Sequence, residues 1–203
     1  MKAILMSISP EWLVKILNGQ KTVEIRKTAP SEDKLPISVY LYCTKGNGTR
    51  RFNLLKDKCD EFHLGWEYTS KGHENVNDIV SRPFNGKVVA KFELYCVYDI
   101  YPLFPEECMT AEILQKACVT ERQALDYSMG MKLKAWFIRD LEIFDKPMFL
   151  SDFYECGKPI RKYDGAETLA RSIGLLPPLP EDKTEYADHP CVPQSWRYVE
   201  VPI

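Results

Sequence analysis

The sequence predicts an α+β fold: a small mixed β-barrel with short helices and loop insertions, forming one domain over residues 1–203. Three observations predict it. Six segments are apolar or alternate apolar with polar residues over a strand's length. Helical periodicity is confined to three short stretches. The regular alternation of strands with long helices that a doubly wound nucleotide fold needs is absent. The 203 residues suit one ordinary domain. With 45% hydrophobic and 28% charged residues, the composition excludes a disordered, collagen-like or low-complexity chain.

Each element has its own reason. Residues 2–8 form an apolar run that reads as a buried strand. Ser9-Pro10 then opens a helix, with serine as N-cap and proline at the first helical position. Trp12, Leu13, Ile16 and Leu17 make its apolar stripe, and Gly19 closes it. In 21–27, Val23 and Ile25 alternate with Thr22, Glu24 and Arg26, which predicts a strand with one apolar and one polar face. Residues 37–43 are a strand with Ile37, Val39, Leu41 and Cys43 on one face and Tyr40 and Tyr42 on the other. Residues 45–49 read as a turn, and 50–83 show no strong period and read as an insertion between strands, residues 45–83 forming the first of two insertions.

The run 86–100 is rich in Val, Phe and Tyr and predicts a long, bent strand. Residues 110–117 and 120–128 predict short helices with Thr110 and Thr120 as N-caps and Gly130 ending the second. Residues 133–144 return to strand. Trp136 and Ile138 share one parity and Leu141 and Ile143 the other, which predicts a bulge near Arg139-Asp140. Residues 151–153 predict a short turn or helix. The second insertion, 155–190, is loop-rich, and 195–201 is a closing strand.

No run approaches the roughly 18 apolar residues that cross a bilayer. The N-terminus lacks the apolar length of a signal peptide. A cytoplasmic protein without a membrane partner is expected. Seven scattered cysteines without any C-x-x-C fit buried thiols in a reducing compartment. Cys59 and His63 could share a helix face, but a zinc site needs about four ligands, so no metal and no cofactor are expected. Cys43 and Cys96 alternate with strand hydrophobes and read as core, and His63, His73 and His189 read as surface residues. Residues 1–58 carry eleven basic against five acidic side chains, a balance compatible with a phosphate-bearing partner, whereas 163–190 carry six acidic against two basic.

Nucleotide-loop, nucleophile-elbow and zinc-protease motifs are absent. Three other segments carry a resemblance. The first is Ser7-Ile8-Ser9-Pro10-Glu11-Trp12 followed by Gly19-Gln20-Lys21-Thr22-Val23-Glu24-Ile25-Arg26, a G-x-K-x-x-E-x-R spacing. The second runs from Ala135 to Pro147 and on to Leu150-Ser151-Asp152-Phe153. The third is Pro193-Gln194-Ser195-Trp196-Arg197-Tyr198-Val199. Together and in this order they resemble ASCH domains, the last two in the form carried by phage and prophage members.

The resemblance implies a PUA-like β-barrel with a cleft beside the first helix and an RNA or nucleotide-like ligand. One branch of the family hydrolyses N4-acylated cytidines with a lysine, a threonine three residues on, and a glutamate. Lys21 matches that lysine, but Glu24 stands where the threonine would be, and Thr22 points to the opposite face.

The residues have their own logic. Glu24 and Arg26 share a strand face. Arginine offers a fork of donors for phosphate or a base edge, glutamate accepts from exocyclic amines, and Lys21 can meet a phosphate. The bland alternative is a surface ion pair worth about 0–1 kcal/mol. Gln194, Ser195, Trp196 and Tyr198 could border the same cleft, with the aromatics stacking a base or packing in the core. Ser7 and Tyr42 complete the expected ligand-binding set, and Lys21 and Glu24 are the candidates for any catalysis. The expected function is RNA or nucleotide binding. The alternatives are an enzyme using the same cleft, as an amidohydrolase or a ribonuclease, and a phage-related interaction module.

Overall fold

The computed structural model describes residues 1–45, 50–57, 59–68, 84–103, 108–155, 158–159 and 195–201. In chain order the strands are β1 (Lys2–Ile8), β2 (Val23–Arg26), β3 (Ile37–Cys43), β4 (Arg50–Lys56), β5 (Phe62–Tyr68), β6 (Val88–Ile100), β7 (Leu133–Met148), β8 (Tyr154–Glu155), β9 (Lys158–Pro159) and β10 (Trp196–Glu200). The helices are α1 (Pro10–Leu17), α2 (Cys108–Lys116) and α3 (Glu121–Ser128), with 3-10 turns at Glu32–Lys34 and Leu150–Asp152. No helix among the described residues is long and apolar enough to cross a membrane.

The architecture is mixed α+β, mostly strand. Eight strands hydrogen-bond in the order β2-β7-β6-β3-β1-β10-β8-β9, and β4-β5 form a separate hairpin. β1 runs parallel to β3 and antiparallel to β10. Its apolar run is buried on both faces, as an interior strand's should be. Ile4, Met6 and Ile8 join Leu13, Ile16 and Leu17 of α1, Val39, Leu41, Phe92 and Trp136 in one core cluster. Ala3 and Leu5 face the other way into a second cluster with Tyr40, Tyr42, Phe153 and Val199. A third cluster seats α2 and α3, through Ile113, Leu114 and Ala124, against Val23, Ile25 and Ala135.

The expected barrel is corrected to an open, curled sheet. The curl brings edge strand β2 against the end of β1, but no ladder closes it. Backbone groups at the end of β1 are already engaged: the Ser7 amide donates to the Ser195 carbonyl at 2.9 Å, and the Ser7 carbonyl accepts from Arg26 Nη2 at 2.8 Å. A side chain, not a backbone ladder, thus joins β2 to the end of β1.

The described residues within 50–83 form the β4-β5 hairpin. Its Leu54 and Phe62 are buried in the cluster that includes α1. Two asparagines tie it down. Asn18 Oδ1 accepts from the Phe62 amide at 3.2 Å while its Nδ2 donates to the Phe62 carbonyl at 2.9 Å. Asn85 does the same for Leu54 N (2.8 Å) and Phe52 O (2.8 Å). Cys59 and His63 share no helix: Cys59 lies in the turn and His63 on β5, paired with Asp57 at 2.9 Å. The anticipated bulge in β7 is present. Asp140 has φ +51°, and the β6-β7 register slips between the pairs Lys91–Glu142 and Glu93–Arg139.

Candidate functional site

The G-x-K-x-x-E-x-R segment reaches its position through the end of α1. Gly19 follows the Asn18 C-cap with φ +71°, a left-handed conformation glycine adopts without a steric penalty. The amides of Gln20 and Lys21 both donate to the Lys15 carbonyl, at 2.8 and 3.0 Å, so the turn is fixed to the helix. The chain then enters β2, held by the Thr22 amide on the Lys116 carbonyl and the Ile138 amide on the Thr22 carbonyl, each at 3.0 Å.

The polar face of β2 is not a surface. All four of its residues are buried, and Lys21, Glu24 and Arg26 are 2%, 6% and 8% exposed. The reading of a surface ion pair is thereby overturned. Lys21 Nζ lies 3.2 Å from Glu24 Oε2 and donates to the Ala117 carbonyl at 2.6 Å. Glu24 Oε1 lies 3.0 Å from Arg26 Nε. That contact is electrostatic: the buried Nε–H is not aimed at the oxygen and has no hydrogen-bond acceptor. The other guanidinium nitrogens donate to the Ser7 carbonyl and, at 3.3 Å, to Ser195 Oγ. Arg26 thus binds β2, β1 and the start of β10 together.

These side chains line a cavity of about 290 Å3 between α1, β2 and α3. Ser7, Ser9 and Trp12 form one wall, and Val119, Gln123, Ala124 and Tyr127 form the opposite one. The Trp12 ring lies within cation–π reach of two ammonium groups, Lys15 at 4.8 Å and Lys21 at 5.2 Å. The α3 wall is fixed by a capping box: Thr120 Oγ1 accepts from the Gln123 amide at 3.2 Å, and Gln123 Oε1 accepts from the Thr120 amide at 3.0 Å. The Ser7 hydroxyl, buried at the cavity edge, has no hydrogen-bond partner.

Burial lowers the pKa of Lys21 from the ordinary lysine value, against the pull of the Glu24 carboxylate, which raises it. Burial also raises the Tyr127 phenol. The Cys43 thiol is pushed up to about 12 by burial alone and is a core group, not a nucleophile.

Of the residues expected from sequence, Lys21, Glu24, Arg26 and Ser7 meet at this cavity, and Ser195 borders it through Arg26. Thr22 is exposed and outside it. Tyr42 does not line this cavity: it is buried in the second core cluster on the far face of β3. Trp196 packs edge-on against the buried Trp136, with centroids 5.4 Å apart, and donates to Thr28 Oγ1 at 3.0 Å. Tyr198 packs on Trp196 and lines a second, more open cavity of about 630 Å3 with Lys2, Lys34 and Tyr154. Neither aromatic reaches the first cavity. Gln194, His73 and His189 lie outside the described residues. Sequence reading missed Trp12, Gln123 and Tyr127 as lining residues. The T-x-x-Q capping signature at Thr120 was legible, but nothing local says that this helix covers a strand a hundred residues earlier.

No protein-family model matches the chain, and no curated protein matches its sequence. Among solved structures it is similar to an ASCH protein from Zymomonas mobilis. One such structure is 19% identical over 73% of each chain with a TM-score of 0.44. A tyrosine-to-phenylalanine variant is 17% identical over 98% of this chain and 91% of that one, with a TM-score of 0.49. A serine-to-alanine variant is 16% identical over 98% and 88%, with a TM-score of 0.47.

Proposed function

We propose that this chain binds a nucleotide unit, free or within an RNA strand, in the cavity between α1, β2 and α3. The observation that carries this reading is the buried Lys21–Glu24–Arg26 array on the wall of a 290 Å3 cavity flanked by Trp12 and Tyr127. That volume lies at the low end of small-molecule sites, about 300–1,000 Å3. It has room for one base and sugar, not for a helix. Glu24 can accept from an exocyclic amine while its two cations hold it in place, and the aromatic side chains supply apolar contact. The G-x-K-x-x-E-x-R spacing that resembles ASCH domains supports the same ligand class. Arg26 acts as a positioning residue, because its guanidinium is engaged by Ser7, Ser195 and Glu24.

Isothermal titration of the purified chain with nucleosides, nucleotides and short single-stranded RNA tests this. Saturable binding of one ligand per chain, lost in Glu24→Ala without loss of the folded state, is expected. Absence of binding across the whole set would overturn the reading.

A second reading is hydrolysis in the same cavity, favoured by a buried lysine of lowered basicity beside a carboxylate. Amide cleavage by a hydroxyl needs that oxygen within about 2.6–3.2 Å of its base. Glu24 stands at the position of that hydroxyl, and Thr22 lies outside the cavity. Release of cytidine from N4-acetylcytidine is therefore not expected. Turnover in the range of about 1–1,000 per second, abolished by Lys21→Ala or Glu24→Ala, would replace binding with catalysis.

A further inference from the structure

The charges around the cavity do not balance. Its lining holds two cations, Lys21 and Arg26, and one carboxylate, Glu24, all more than nine-tenths buried. Both Glu24 oxygens are already shared, one with each cation. The remaining contacts of the two cations are to neutral acceptors: the Ala117 carbonyl for Lys21, the Ser7 carbonyl and the Ser195 hydroxyl for Arg26. With Lys21 as its ammonium, the three groups carry one more positive than negative charge among the described residues. A buried charge is costly unless paired.

The other groups facing Lys21 do not supply a counter-charge. Trp12 presents only its ring, with Lys15 also near it, and Cys118 holds its thiol on the Gln20 carbonyl at 3.3 Å. Across the cavity α3 contributes Tyr127, whose ring is covered by the Lys27 ammonium at 5.1 Å. The carboxylates of Glu11 and Glu121 are solvent-exposed. The first turns of α1 and α3 both border the cavity, and each adds partial positive charge there. The Ser7 hydroxyl is an unpartnered polar group at the same edge.

We infer that the cavity is completed by an anion: the ligand carries a negatively charged phosphate seated between Lys21, Trp12 and the first turn of α3, so nucleotides are preferred over nucleosides. This inference rests on the nucleotide-binding reading and deepens it. With the phosphate bound, Lys21 gains a second anionic neighbour and its ammonium form is favoured.

The test is titration calorimetry with cytidine, cytidine 5′-monophosphate, the adenosine pair and inorganic phosphate. The monophosphates are expected to bind at least tenfold more tightly than their nucleosides, with competition by inorganic phosphate. Lys21→Gln is expected to reduce the preference to less than about twofold. Should that variant fail to fold, Lys21→Arg serves instead: it keeps a positive charge at this position, so the preference for the monophosphate should persist, and its loss would count against the anion site. Equal affinities of nucleoside and monophosphate, unchanged in either variant, would overturn the anion site while leaving nucleoside binding intact. Saturable phosphate binding that is weakened in Lys21→Gln, without binding of any base, would support the anion site and count against the nucleotide reading. Failure of phosphate and every monophosphate to bind would overturn the inference.

Discussion

Lys21 shows how one residue's environment sets its chemistry. A lysine after a helix-ending glycine is ordinarily a solvated charge. Here the turn to Lys15 and the Ala117 carbonyl fix it inside the fold, beside one carboxylate and one guanidinium. Its pKa falls below the ordinary 10.5, with burial as the largest cause. The linkage follows directly. Between the lowered folded value and 10.5 the unfolded chain binds more protons, so this position's contribution to stability rises with pH across that window. The melting temperature of the wild type minus that of Lys21→Met is therefore expected to increase as the pH rises towards 10.5. Thermal scans across that range check it, and a flat difference would mean that folding leaves Lys21 as basic as an exposed lysine. The residue types were legible from the sequence. Their burial was not, because the strand's alternation marks Glu24 and Arg26 as the polar face without saying what lies above that face.

At the scale of elements, α3 decides whether the cavity has a wall. It is only eight residues long, too short to persist alone in water, and depends on its caps and its docking. The Thr120–Gln123 box closes one end. At the other, Met129 adopts the left-handed conformation with φ +53°, which costs a non-glycine residue about 1–2 kcal/mol. Met129 is 77% exposed and has little packing to lose. Met129→Gly is therefore expected to stabilise the chain by about 1 kcal/mol, and Thr120→Ala to destabilise it by about the same amount. Chemical denaturation of both variants tests this; opposite signs would show that packing, not capping, holds α3. The helix ends were readable because a capping box and a glycine are local signals. The β4-β5 hairpin was not, since its stability comes from α1 and from Asn18 and Asn85, which are distant in sequence.

For the whole molecule, the sheet order places β1 and β3 between flanking strands, each packing into core clusters on both faces. The β4-β5 hairpin forms its own two-stranded sheet, which is marginal by itself. Native-state hydrogen exchange is expected to find the β1 and β3 amides slowest, opening only with global unfolding, and the hairpin amides faster through local opening. Uniform exchange across both sheets would refute this division.

What the sequence by itself determined is local. The apolar run of β1, the stripe of α1, the alternation in β3 and β7, the bulge at Asp140 and the caps of α3 are all set by the residues that form them. The chemical identity of Lys21, Glu24 and Arg26 was equally legible, as was the spacing that resembles ASCH domains. The tertiary structure alone decided that the sheet stays open, with β2 and β9 at its two edges and the Arg26 side chain joining β2 to the end of β1. It also decided that Tyr42 belongs to the core, that Trp196 packs on Trp136 away from the cavity, and that α3 roofs β2. The physical reason is the same in each case. Periodicity fixes which side of an element a residue takes, whereas burial and charge balance depend on what another part of the chain, tens of residues away, places against that side.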